Sequence, residues 1–229
     1  MGEIKNPAPV LPTPERDIHG KPLRKSFYST VSPVSYTHLI DGTKRTCCVG
    51  INNRKAARIA GRLMGQFLGG TGKIAVVSSA IASENNNYYV QVRETEFADF
   101  IHKEYPDIKI ITTLDSFEDP QITYEKTVKL LRDYQDLQGI YITCGGVSQV
   151  GRALEESGRA KDIRVISFED YPEVVDLIRK DVIDCTLAGE LQQQGEIPVQ
   201  IIMDYLVFGK EPEQQQIFTD IRVLVKESL

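Results

Sequence analysis

Two places in this chain combine polar groups with the end of a buried strand. Arg93 stands one turn before Phe97, near the start of a helix that follows the strand "KIAVVSS" (73–79) and the polar loop "AIASENNN". A guanidinium fork at a helix start facing a cleft could hold vicinal hydroxyls or a carboxylate bidentately. A surface arginine has the same spacing. Glu169 and Asp170 close the apolar strand "IRVISF" (163–168), and paired acceptors there suit the hydroxyls of a polyol. For Asp170 the competing role is capping of the helix begun by Pro172, a residue suited to a first helical turn.

Other candidate chemistry fails on spacing. "GGTGK" (69–73) suggests a phosphate loop, but Phe67 stands where that motif needs glycine and Ile74 where it needs Ser or Thr. It also follows a helix and opens a strand, the reverse of the phosphate-binding order. "CGGVSQVG" (144–151) does open a helix after a strand, yet Gly145, Gly146 and Gly151 do not fit G-x-G-x-x-G, so a tight strand-to-helix turn explains them better than a dinucleotide. His19, His38 and His102 have no metal-ligand or nucleophile partner nearby, and no G-x-S-x-G occurs. Cys47, Cys48, Cys144 and Cys185 show no C-x-x-C spacing and read as small buried hydrophobes. Adjacent Cys47 and Cys48 would point to opposite faces of a strand and could not pair. The expectation is a non-enzymatic protein with no cofactor and no metal.

The elements that must position Arg93 and Glu169 alternate regularly. "RTCCVGI" (45–51) leads through Asn52 and Asn53, both cap candidates, into a helix carrying Ala56, Ile59, Ala60, Leu63, Met64 and Phe67 at helical spacing. Strands "KIAVVSS", "IKIITTL", "GIYITC", "IRVISF" and "VIDCTLAG" follow, each succeeded by a helical pattern; Gly158 closes one of these helices. A last helix over about 196–208, with Pro198 in its first turn, precedes a closing strand "IFTDIRVLVK" (217–226). Continuous apolar strands in strand–helix units of about 25–30 residues predict an α/β fold, a parallel sheet with helices on both faces. Ligands in such folds sit at the carboxyl ends of the strands.

Composition agrees. The 229 residues are 41% hydrophobic and 26% charged, with net charge −5, so no whole-chain attraction draws the protein to nucleic acid or an anionic membrane. No apolar run approaches the roughly 20 residues of a membrane span, and Met1 to Pro14 has no continuous apolar signal region. Six prolines fall in the first 33 residues.

From about Ile40 to Leu229 the sequence resembles the effector-binding domain of the lactose-repressor (LacI) family, related to type 1 periplasmic sugar-binding proteins. "VGINNRKAARIAGRLM" resembles that family's "VG-x-DN-xx-AG-xx-A"; "GKIAVVSS" then "RETEF" resembles "G-K-I-A-V" followed by "R-xx-G-F". "GIYITCGGVSQVGRALEESG" and "RVISFEDYPEVVDLIRKDVIDCTL" resemble two further strand–helix blocks, in the same order. The resemblance implies a sugar-binding arginine at Arg93 and a ligand-binding acid at Glu169, with Asp170 beside it. It implies a ring-stacking aromatic near Phe117 and a contact from Tyr89. The family's usual Asn-Asp pair falls on Thr143-Cys144, its hinge glutamine on Gly189 with Glu190 adjacent, and the glycine before Phe97 is Glu96.

The expected organisation is therefore a non-family leader (1–39) and a remnant of a first lobe (40–72). A complete ligand-binding lobe (73–189) and a returning helix and strand (190–229) follow. Val34–Leu39 reads as a seam, sequence joined to the rest and not evolved with it. The implied function is effector sensing, with a sugar as effector, in a cytoplasmic transcriptional regulator. Intact relatives would be homodimers that reach operator DNA through a headpiece absent from this chain. A periplasmic sugar-binding protein of a transport system is the alternative on the same fold; a nucleotide-dependent enzyme is the alternative of another class.

Overall fold

The computed structural model describes residues 34–36, 46–79 and 88–229. Residues 1–33, 37–45 and 80–87 lie outside the described residues.

Two sheets organise the chain. β1 (Val34–Tyr36), β2 (Cys47–Ile51) and β8 (Gln216–Thr219) form a small parallel sheet in the order β1-β2-β8. The larger sheet contains β3 (Thr71–Ser78), β4 (Asp107–Asp115), β5 (Gly139–Ile142), β6 (Arg164–Phe168), β7 (Cys185–Gly189) and β9 (Ile221–Leu224), ordered β4-β3-β5-β6-β7-β9. All its pairings are parallel except β7–β9. The helices are α1 (Asn53–Phe67), α2 (Tyr88–Glu104), α3 (Pro120–Asp133), α4 (Val147–Ser157), α5 (Pro172–Arg179) and α6 (Leu191–Phe208).

Strand alternation divides the core into two apolar layers. Ala75, Val77, Ile140, Ile142 and Val165 face α3, α4 and α5 through Leu130, Leu131, Val150, Leu154, Val174 and Ile178. Their sequence neighbours Ile74, Val76, Tyr141, Ile166 and Phe168 face α1 and α2 through Ala56, Ala60, Met64, Phe97 and Ile101. Burial of the sheet on both faces is the physical reason its strands read as continuous apolar runs. Asn52 is the N-cap of α1, its side chain accepting from the Lys55 amide at 3.0 Å. Gly158 ends α4 in the left-handed conformation at φ 70°, as expected of a C-terminal glycine.

Three features differ from the sequence expectation. First, α1 does not belong to the small sheet. Its Ala56, Ala57, Ala60 and Met64 stripe packs on the larger sheet, so the chain leaves the small sheet at Asn52 and not at residue 72. Glu96 reinforces that packing: its carboxylate takes Arg54 and Arg58, one turn apart on α1. Second, the last helix starts at Leu191 with Glu190 as N-cap, which places Pro198 inside it. The Pro198 ring has no N–H for the Gln194 carbonyl, a local cost the helix carries. Third, the closing strand breaks at Asp220 into β8 and β9, one in each sheet. Gln193 of α6 fixes the break: the Asp220 amide donates to Gln193 Oε1 at 3.1 Å, and Gln193 Nε2 donates to Asp220 Oδ2 at 2.9 Å. The described chain thus passes between the sheets at Asn52, Glu190 and Asp220.

Far from those crossings, Arg159 ties the turn between α3 and β5. Its Nη1 donates to the Leu131 and Tyr134 carbonyls at 3.1 and 3.0 Å, and Nη2 to those of Gln135 and Leu137 at 3.0 and 2.9 Å. An ammonium cannot reproduce that fork. R159K is expected to lower unfolding free energy by about 2 kcal/mol, read as a lower urea midpoint at unchanged slope.

Candidate functional site

Arg93 projects from α2 onto the carboxyl ends of β5 and β6, and every part of its guanidinium has a partner. Nε donates to Asn53 Oδ1 at 2.7 Å, and Nη1 to the Thr143 carbonyl at 3.1 Å. Nη2 lies 3.5 Å from Glu169 Oε1. The guanidinium carbon stands 4.0 Å from the centroid of the Phe168 ring, within cation–π distance. Burial pulls the Arg93 pKa below its ordinary value, and the Glu169 carboxylate opposes that pull. The side chain is only 12% exposed, whereas that of Glu169 is 40% exposed. A desolvated cation is therefore paired to an acid that solvent and ligand can reach.

Glu169 occupies a backbone conformation that non-glycine residues seldom adopt, with φ 68°. Strain of this kind persists where surrounding contacts over-determine it, and it gathers at ligand sites. Here the Glu169 amide donates to the Leu187 carbonyl at 2.8 Å, and Thr186 Oγ1 donates to the Glu169 carbonyl at 2.7 Å. The parallel β6–β7 register sets both contacts and turns the carboxylate toward Arg93.

Two cavities meet at this pair. One, of about 400 Å³, lies between the sheets; β2, the start of α1, Gly189, Gln194 and the strand β8 line it. The second, of about 490 Å³, lies over the start of α4, with Glu118, Cys144, Gly145 and Ser148 on its walls. Tyr89, Arg93, Glu169 and Tyr171 line both. The Tyr89 hydroxyl is 3.8 Å from Cys48 Sγ.

Among the residues singled out in the sequence, Tyr89, Arg93 and Glu169 come together. Thr143 contributes differently than expected. Its hydroxyl donates to the Val77 carbonyl at 3.2 Å, so only its carbonyl takes part, by holding Arg93. Asp170 and Glu190 line neither cavity. Arg222 of β9 holds both: Nη2 donates to Asp170 Oδ2 at 2.7 Å, and Nε lies 3.2 Å from Glu190 Oε2. Phe117, at φ 53° and 54% exposed, also lies off both linings. Its ring lies under Lys126, whose Nζ is 4.6 Å from the centroid, and its neighbour Glu118 faces the cavity instead. The four cysteines are buried and free.

Asn53, Tyr171 and Gln194 also line the cavities, and sequence reasoning did not single them out. A signal existed for Asn53: of two adjacent cap candidates only Asn52 can cap, which leaves the Asn53 amide available. Tyr171 carried none beyond being an aromatic at a strand-to-helix turn, and Gln194 lies in a run of three glutamines.

The geometry agrees with comparisons to known proteins. A glucose–galactose binding protein from Geobacillus stearothermophilus superposes with TM-score 0.78 at 22% identity, over 88% of this chain and 70% of that one. An arabinose binding protein from the same organism gives 0.77 at 23% identity, over 89% and 71%. The sugar-binding protein of a sugar ABC transporter from Bacillus halodurans gives 0.73 at 27% identity, over 81% and 66%. This chain therefore spans about two thirds of the length of these neighbours. No curated protein matches. Among the described residues no helix is long and apolar enough to cross a membrane. The periplasmic binding protein domain family matches residues 30–211, beginning ahead of Ile40. With its α/β architecture, its paired sheets and the cleft between them, the chain belongs to the family of periplasmic binding protein domains.

Proposed function

We propose that the cleft binds a small neutral sugar and that the protein serves as the sugar-binding component of a transport system, without catalysing a reaction. The observation that carries this reading is the Arg93–Glu169 pair, held between Asn53 and the Phe168 ring at the meeting point of two cavities. A guanidinium fork beside a reachable carboxylate offers donors and acceptors together, which matches vicinal hydroxyls, each of which donates and accepts. The pair is neutral overall, so a neutral polyol needs no counter-ion to enter.

Structural neighbours described as sugar-binding proteins support transport over regulation. In the regulator reading the same cleft is an effector site, and the protein is a cytoplasmic homodimer that reaches operator DNA through a headpiece. The transport reading places the protein outside the cytoplasmic membrane. A ligand at about 100 times its Kd stabilises the native state by roughly 2.7 kcal/mol, a rise of several degrees in Tm. Thermal unfolding with D-glucose, D-galactose, D-arabinose and L-arabinose is expected to show that rise for at least one sugar. Stabilisation by NAD and by none of the sugars would falsify this reading in favour of a nucleotide-binding enzyme.

A further inference from the structure

The helix α6 is inverted with respect to water. Its apolar residues Val199, Met203, Val207 and Phe208 are each at least half exposed, and its one buried residue is Gln194, 5% exposed. The Gln194 side chain makes no hydrogen bond among the described residues; only its backbone amide is engaged, to the Glu190 carbonyl at 3.0 Å. The side chain lines the 400 Å³ cavity together with Asn53, Arg93 and Glu169.

Gly189, the last residue of β7, makes room for it. A Cβ added at Gly189 would overlap Gln194 Nε2 and come within 2.5 Å of Ile51 Cγ2. Gly189 has an ordinary backbone conformation and is absent from the positive-φ glycines, so the missing side chain serves space and not backbone freedom. The amide of Gln194 occupies the volume that a side chain at position 189 would fill.

We propose that Gln194 is a specificity-determining residue of the sugar site, whose side-chain amide faces the cavity so that a ligand hydroxyl can pair with it. This inference rests on the sugar-binding reading above. An amide presents both a donor and an acceptor, the complement of a hydroxyl. A ligand carboxylate offers acceptors alone and would leave the amide oxygen without a partner. Gln194 thereby favours neutral hydroxyl-bearing ligands over sugar acids, and Gly189 is the positioning residue that admits the amide.

Isothermal titration of the full chain with D-glucose, D-galactose, D-arabinose and L-arabinose tests the assignment. Q194M keeps the length and removes both polar atoms. G189A leaves Gln194 intact and displaces its amide. Each is expected to weaken the sugar that binds best by about tenfold, the loss of one buried hydrogen bond. A residue kept for fold stability would lower Tm when replaced. Q194M is instead expected to leave the Tm of the unliganded protein within about 2 °C of wild type, because the amide faces the cavity and makes no contact that the fold needs. Sugar affinity within twofold of wild type in both variants overturns the role of Gln194 while leaving the sugar site intact. Wild-type protein that binds none of the four sugars removes the sugar-binding reading, and the role of Gln194 with it.

Discussion

R93M is expected to weaken sugar binding at least a hundredfold. The guanidinium is both desolvated and multiply anchored: Asn53 Oδ1 at 2.7 Å, the Thr143 carbonyl at 3.1 Å, Glu169 at 3.5 Å and the Phe168 ring at 4.0 Å fix its plane. A charge-assisted hydrogen bond contributes roughly 1.5–3 kcal/mol, so losing two to a ligand passes the 2.7 kcal/mol that a factor of 100 represents. Stability should fall too, by about 2 kcal/mol, because a carbonyl and an amide oxygen lose their donors. The 40% exposed Glu169 side chain contributes little to that figure, since water screens its charge. R93K separates the effects: it keeps the charge but not the planar fork, and should lose about tenfold in affinity. Calorimetric titration beside urea unfolding reads both. Wild-type affinity in R93M would assign the guanidinium to packing alone.

F97A is expected to cost the most stability of any single change proposed. Phe97 is fully buried on α2 among Met64, Ile74 and Ile101. Its ring stacks on Tyr141 with centroids 4.0 Å apart and planes 21° apart. Truncating a buried phenylalanine removes about 3–5 kcal/mol, a large part of a total stability of roughly 5–15 kcal/mol. Because Phe97 is one turn beyond Arg93, the loss should also loosen the helix that presents the guanidinium. Y141F provides the contrast within the same stack. The Tyr141 hydroxyl is buried without a hydrogen-bond partner among the described residues, and burial drives its pKa far above the ordinary phenol value. Removing that oxygen keeps the ring contacts and deletes an unpaired polar atom, so stability should hold or rise by about 1 kcal/mol. Urea midpoints for the two variants should move in opposite directions, or differ by most of the F97A cost.

The strand–helix order was legible because each strand is buried on two faces and each helix on one. Local apolar spacing then encodes the layer a residue faces, as Ile74 and Ala75 illustrate from opposite cores. Capping at Asn52 and the stop at Gly158 were legible for a similar reason, since each acts within a turn of its own position. At the site, Arg93 and Glu169 could be found as polar groups at strand ends, where this architecture opens its cleft.

What remained hidden depends on partners distant in sequence. Nothing near Asp170 or Glu190 says that Arg222 will hold both away from the cavities, and nothing near Phe117 turns its ring to Lys126. The assignment of α1 to the larger sheet rests on Phe97 and Ile101, some 40 residues later. The break at Asp220 is set by Gln193 across the crossing. The sequence by itself determined the order of elements, the two-sided core and the two charged strand-end groups that meet at the cavities, because hydrophobic periodicity and strand-end polarity act locally. Only the tertiary structure decided which acids line the cavities, which glutamine reaches them and where the chain passes between sheets. Those outcomes follow from competition among charges and amides that meet only after folding.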